Sequence, residues 1–153
     1  MGEQQSGPVR FQRANVVVRD LDRALAFYRD ILGFEVAFIK DSPEVSYSYT
    51  VFEIPKEAKL RFCVLSTATQ PRVLALTEVT EAVVPSAPIP RLGAMVLEIE
   101  NVDEVLEALS KAGHKVYPEE RLVTQDGRVG REIGCLDPDG NLVVLYRITG
   151  RVA

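Results

Sequence analysis

Apolar residues along this chain change spacing twice in the same way. The segment from Val16 reads VVVRDLDRALAFYRDILGFEV and the segment from Leu97 reads LEIENVDEVLEALSKAGHKV. Each begins as an apolar strand, passes a short polar residue, becomes helical in period and stops at glycine. In the first helix Leu21, Leu25, Tyr28, Ile31 and Leu32 recur at three- and four-residue steps, and in the second Val102, Val105, Leu106 and Leu109 do so. Such spacing makes one apolar stripe on a helix. Asp20 and Asn101 precede the two helices, where a side-chain oxygen can accept from an orphan amide of the first turn. Gly33 and Gly113 fall where a left-handed terminal residue is wanted.

Placing Asp20 on Asn101, an offset of 81 residues, also brings Leu21 onto Val102, Asp22 onto Asp103 and Leu25 onto Leu106. The chain is therefore expected to hold two copies of one unit. Strand-like runs follow the first helix at Phe34–Lys40, Ser46–Ile54, Leu60–Ser66 and Val73–Val79. After the second they fall at Lys115–Tyr117, Glu132–Leu136 and Leu142–Ile148. Asp137-Pro138-Asp139-Gly140-Asn141 is a turn sequence joining the last two runs as a hairpin. Pro85, Pro88 and Pro90 make Glu81–Arg91 an extended connection. The expected organisation is a frayed tail over 1–9, a βαβββ module over 10–79, a linker over 80–92 and a second βαβββ module over 93–149. Helices on one face of a curved mixed sheet, with a concave pocket on the other, define an α+β class.

Composition narrows the function. The 153 residues, 46% hydrophobic and 26% charged, suffice for a core without staples. A net charge of −4 with no Lys/Arg run lacks the footprint of a nucleic-acid binder. No apolar run reaches membrane-spanning length, and the first residues lack a signal-peptide core, so a cytoplasmic protein is expected. Cys63 and Cys135, 72 residues apart in strand-like segments, read as buried free thiols. Glycine-rich phosphate loops, a Ser-His-Asp order and zinc-type cysteine spacing are all missing.

Two motifs carry a family resemblance. Asp20-Leu21-Asp22-Arg23-Ala24-Leu25-Ala26-Phe27-Tyr28-Arg29-Asp30-Ile31-Leu32-Gly33-Phe34 resembles the first helix of the glyoxalase/bleomycin-resistance/extradiol-dioxygenase (vicinal oxygen chelate) superfamily, and Asp137–Asn141 resembles the hairpin before its last strand. The resemblance spans roughly residues 10 to 149. It implies a dimer, and a ligand site on the concave side of the sheet. It also implies four His, Gln or Glu metal ligands, two from each module. The positions matching those ligands are Arg13, Ala75, Ala94 and Val144. None is a metal donor, and the neighbours Leu74, Met95 and Val143 are no better. The expectation is thus a member without metal or other cofactor. The lone His114 is expected to face solvent.

Alternation along the strands extends these four positions into a pocket lining. It comprises Arg13, Asn15, Val17, Val73, Ala75 and Thr77 from the first module, with Ala94, Val96, Glu98, Leu142, Val144 and Tyr146 from the second. Val16, Val18, Leu97 and Ile99 should pack beneath the helices. Such a lining, mostly apolar with a few polar groups, suits a small organic molecule, and Arg13 gives an anionic or aromatic one a partner. Arg13 can equally reach out to solvent or pair with Glu98, Tyr146 can be plain core, and the side taken by Arg131 is open. Three functions remain. The first is binding by sequestration or carriage. The second is a metal-free isomerase, lyase or cyclase drawing its acid and base from Arg13, Tyr146 and Glu98. The third is a structural homodimer with a vestigial pocket.

Overall fold

A computed structural model describes residues 7–153; residues 1–6 of the expected tail lie outside the described residues. The strands form two four-stranded mixed sheets whose orders, β1-β4-β3-β2 and β5-β8-β7-β6, are the same order twice. The first sheet uses β1 (Ala14–Val18), β2 (Glu35–Asp41), β3 (Lys59–Ser66) and β4 (Leu74–Thr80). The second uses β5 (Ala94–Glu98), β6 (Glu120–Val123), β7 (Arg128–Leu136) and β8 (Leu142–Arg151). In each, the first and last strands of the module pair in parallel and the other pairs run antiparallel. Both sheets obey the 81-residue repeat: Ala75 lies opposite Asn15, and Val144 lies opposite Val96, the residue 81 beyond Asn15.

Asp20 caps the first helix, α1 (Leu21–Leu25), by accepting from the Arg23 amide at 3.1 Å. The helix continues as a π-helical turn over Ala26–Ile31, with the Leu32 amide donating to the Phe27 carbonyl at 3.0 Å. Phe27, absent from the expected stripe, is as deeply buried as Tyr28 beside it and stands one ordinary helical step of three residues after the buried Ala24. Gly33 and Gly113 close their helices at φ of 91° and 78°. Asn101 precedes the second long helix (Val102–Lys111) without a side-chain bond to it. The expected cap is replaced by Asp103 and Glu104 in the first turn, which meet the helix dipole.

The segment Ser46–Ile54 is not a strand. It holds a helix, α2 (Tyr47–Val51), capped by Ser46, and the Val102–Lys111 helix is therefore α3. Its alternating tyrosines suggest a strand, but β2 and β3 already pair with each other and leave no place between them. Tyr49 instead turns inward, its hydroxyl donating to the Ala58 carbonyl at 2.7 Å, and packs with Leu60 and Val79. Lys115–Tyr117 likewise shrinks to a single bridge, Val116 to Cys135. The edge position goes to β6, whose charged residues Glu120 and Arg121 hide it from an apolar pattern and suit an exposed edge.

One continuous core lies between the sheets and the long helices, with Val18, Leu76, Cys63 and Phe27 from the first module and Val105, Leu109, Ile133 and Leu145 from the second. Val16, Leu97 and Ile99 belong to it, as the alternation implies. The Asp137–Asn141 hairpin locks the modules together. Tyr28 donates to Asp137 Oδ2 at 2.7 Å, and the Arg19 amide and guanidinium both reach Asp139 Oδ1 at 3.0 Å. Arg19 also donates to the Val84 and Pro85 carbonyls, pinning the connection between modules. The lock is one-sided, because the residues 81 beyond Arg19 and Arg23 are Glu100 and Glu104.

Candidate functional site

The faces turned away from the long helices are the inner faces, and strand alternation decides what they carry. On the first sheet the floor is made of small side chains. Ala75 and Thr77 are fully buried, and the Thr77 hydroxyl donates to Asn15 Oδ1 at 2.9 Å. One end of this face is covered by α2 and its neighbours, and Val17 packs there with Tyr49, Leu60 and Val79 rather than lining an open cavity. Val73 precedes β4 and packs against the main core instead of the inner face. At the uncovered end Arg13 lays its guanidinium 6.0 Å from the centre of the Phe62 ring, and Lys40 places its ammonium 5.9 Å from the same ring. Phe38 leans toward Phe62 with ring centres 6.2 Å apart and is itself 41% exposed. Register explains the grouping, since Lys40 is the cross-strand partner of Phe62, which in turn faces Thr77.

The inner face of the second sheet is more open. Ala94 and Glu98 are exposed and Val96 is 63% exposed, while Leu142, Val144 and Tyr146 are half-buried. The Tyr146 hydroxyl donates to Glu98 Oε2 at 3.3 Å, and Glu132 sits opposite Tyr146. Val96, Glu98 and Tyr146 share a cleft of about 890 Å³ with the end of the π-helical turn at Gly33 and the Thr67–Gln70 turn. Ala94 and Leu142 share a smaller one of about 320 Å³ with Ala14 and Val16. Arg13, Asn15, Val17, Val73, Ala75 and Thr77 line neither, so the two halves of the expected lining do not meet in these clefts.

Residues 10–145 match the model of the Glyoxalase/Bleomycin resistance protein/Dioxygenase superfamily. The chain belongs to this superfamily. Solved structures of similar fold include a glyoxalase family protein from Bacillus cereus, with 19% identity, TM-score 0.73 and coverage of 97% of this chain and 100% of that one. Another is the trypanothione-dependent glyoxalase I of Leishmania major, at 22% identity, TM-score 0.62 and coverage of 91% and 86%. A genomically encoded fosfomycin resistance protein from Listeria monocytogenes gives 21% identity, TM-score 0.58 and coverage of 94% of each chain. At these identities the likeness is one of fold. No curated protein sequence matches the chain significantly.

The donor set does not fit the metal that many relatives of this fold use. Arg13 is a cation, and Ala75, Ala94 and Val144 have no donor atom. Among the described residues no three His, Cys, Asp or Glu gather closely enough to hold an ion. The lone His114 is not a solvent-facing residue as expected. It is half-buried with its ring 5.1 Å from Phe27 in an edge contact, because the chain turns inward after Gly113, and burial lowers its pKa.

Cys63 and Cys135 are free and fully buried on the core side of their strands. Burial raises both thiols, Cys135 to about 11, so neither is a nucleophile at neutral pH. Arg131 binds Glu119 at 2.7 and 2.9 Å and Asp103 at 3.0 Å, which turns it toward α3 and off the inner face. Phe38, Lys40, Phe62 and Glu132 were not anticipated. Carrying the alternation from β4 across to β3 and β2 would have exposed the first three, but the register between those strands is not written in their sequences.

Proposed function

We propose that this is a metal-independent member of the superfamily that binds a small, partly apolar organic molecule on its inner sheet faces, by sequestration or carriage. The observation that carries the reading is the lining itself. The positions where the resemblance implies metal ligands hold Arg13, Ala75, Ala94 and Val144, and around them stand apolar groups left uncovered, Val96 at 63% and Phe38 at 41% exposed. The fold relatives include a glyoxalase I and a fosfomycin resistance protein, which supports a small molecule as the occupant. A homodimer completes the proposal, because a second copy can close the two inner faces that one chain leaves open.

A thermal-shift screen against aromatic acids, thioesters and natural-product antibiotics, run with and without a chelator, tests the reading. Compounds that raise Tm equally in both conditions support it, and no stabiliser, or stabilisation abolished by the chelator, sinks it. Sedimentation showing only a 17.0 kDa species would remove the dimer. A metal-free lyase, isomerase or cyclase is the second reading, favoured by the Tyr146–Glu98 hydrogen bond of 3.3 Å. A phenol held by a carboxylate can pass a proton when a ligand's acidic carbon comes within hydrogen-bonding reach. Turnover of a bound compound that stops in Tyr146→Phe while binding persists would establish it.

A further inference from the structure

The uncovered end of the first inner face carries more chemistry than a binding surface needs, and, resting on the reading above, the geometry points to the class of ligand. It is an aromatic organic anion, its ring against Phe38 and Phe62 and its acidic group between Arg13 and Lys40. Arg13 stands just before β1, whereas Phe62 lies on β3, two strands away across β4. Neighbouring strands are about 4.8 Å apart, so the exposed Arg13 side chain must reach across the sheet to bring its guanidinium within 6.0 Å of that ring. Lys40 reaches the same ring from β2 on the opposite side, at 5.9 Å.

Two exposed cations near one ring repel each other, in part screened by solvent. Among the described residues neither Arg13 nor Lys40 enters an ion pair. Glu78, next to Thr77 on β4, turns to the helix side of the sheet, where it accepts from the Leu21 amide and from Arg61 at 3.0 Å and 3.1 Å. A bound anion relieves the repulsion, and a guanidinium offers it two parallel donors. Phe38 and Phe62, tilted at 55° to each other, give a planar ligand an apolar corner. Ala75 and Thr77 on the same face are fully buried, so the ligand would lie over the outer side chains and not on that floor. The acids of the second inner face, Glu98 and Glu132, set the competing possibility that a second copy's carboxylates neutralise Arg13 and Lys40.

Binding of 2-naphthoate and of its neutral isostere 2-naphthamide to the full chain, by titration calorimetry, tests the inference. The carboxylate is expected to bind at least about tenfold tighter than the amide, the discrimination one charge-assisted hydrogen bond supplies. In Arg13→Met/Lys40→Met that preference should fall to within about threefold while the amide's affinity is kept, and Phe62→Leu should weaken both probes alike. Circular dichroism and sedimentation of each variant confirm fold and assembly. Equal affinity of the two probes for the wild type overturns the inference, as does a preference that survives the double variant. A double variant that changes only the sedimentation of the chain, with probe binding untouched, also overturns it and assigns the cations to the interface between copies. If neither probe binds, this ligand class is wrong; binding of neutral compounds in the thermal-shift screen would then leave the broader reading standing, and an empty screen would remove both.

Discussion

Replacing Tyr28 by Phe deletes one atom from the joint between the modules, and its effect can be worked from the surroundings. The hydroxyl donates to Asp137 Oδ2 at 2.7 Å, with Tyr28 fully buried and Asp137 4% exposed. Asp137 Oδ1 accepts from the Asp139 and Asn141 amides, each at 2.8 Å, and Oδ2 keeps the Asn141 side-chain amide at 2.8 Å. A buried hydrogen bond to a charged group is worth about 1.5–3 kcal/mol, and the surviving partner of Oδ2 puts the loss near the lower end, about 1.5–2 kcal/mol. For a chain of this size that lowers Tm by about 3–8 °C. Alkaline pH supplies a second, independent signature. Burial first, and Asp137 second, raise the Tyr28 phenol well above its ordinary value of 10.0. The neutral phenol is thus favoured in the folded state, and this contribution is fully present below about pH 10. It is lost as pH rises toward the folded pKa, at about 1.4 kcal/mol per pH unit. Urea unfolding from pH 8 to pH 11.5 should show the wild type losing stability more steeply above about pH 10 than Tyr28→Phe. Both proteins share the titration of the buried thiols, so the difference isolates the phenol. Parallel curves, or an unchanged Tm, would refute the placement of Tyr28 against Asp137.

Three further outcomes follow from the site and the core. Burial lowers the His114 pKa, so the stability it permits is present above its ordinary 6.5 and is lost as pH falls through the folded value; between pH 6.5 and 5 the wild type should lose stability more steeply than His114→Gln, by up to about 1.4 kcal/mol per pH unit, read from urea midpoints. Cys63 and Cys135, both fully buried, should resist a thiol reagent at pH 8 and react at least about a hundredfold faster in denaturant; rapid labelling of the native protein would contradict their burial. Elemental analysis should find no stoichiometric divalent metal on the inner faces, because Arg13 at about 4 Å opposes a divalent ion by roughly 8 kcal/mol at an effective dielectric near 20.

Much of the fold was legible because it rests on short-range rules that agree with one another. The 81-residue repeat, the Asp20 cap and the glycines at 33 and 113 each follow from local chemistry, and the two sheets reproduce the repeat strand for strand. The errors fall where a distant partner overrides a local pattern. Alternating tyrosines at 47 and 49 imitate a strand, but Tyr49 is held by Ala58 and by residues of β3 and β4. Phe27 was missed because its stripe begins at the small Ala24: Ala24, Phe27, Tyr28 and Ile31 stand at ordinary helical steps and share the buried face. The edge strand β6 escaped because an edge exposed to water needs no apolar face.

The site divides along the same line. Which residues alternate onto the inner faces could be counted from one anchor per strand, and Asn15, Ala75 and Thr77 lie where that count puts them, side by side on β1 and β4. What could not be counted is which strands bring their side chains together, since that depends on register and on the reach of long side chains. Arg13 shows the difference. From the sequence it had three destinations: solvent, a ligand, or the carboxylate of Glu98. The structure gives Glu98 to Tyr146 and leaves Arg13 exposed, its guanidinium 6.0 Å from the Phe62 ring and Lys40 of another strand 5.9 Å from the same ring. Arg13, at a position where the resemblance implies a metal ligand, stands with Lys40 near the paired rings of Phe38 and Phe62. A cation placed there would meet two like charges and no donor, whereas an organic anion would meet two donors and two rings. Under the inference drawn above, the residues at these positions reverse the sign of what the face attracts, and that reversal is what the naphthoate and naphthamide comparison measures.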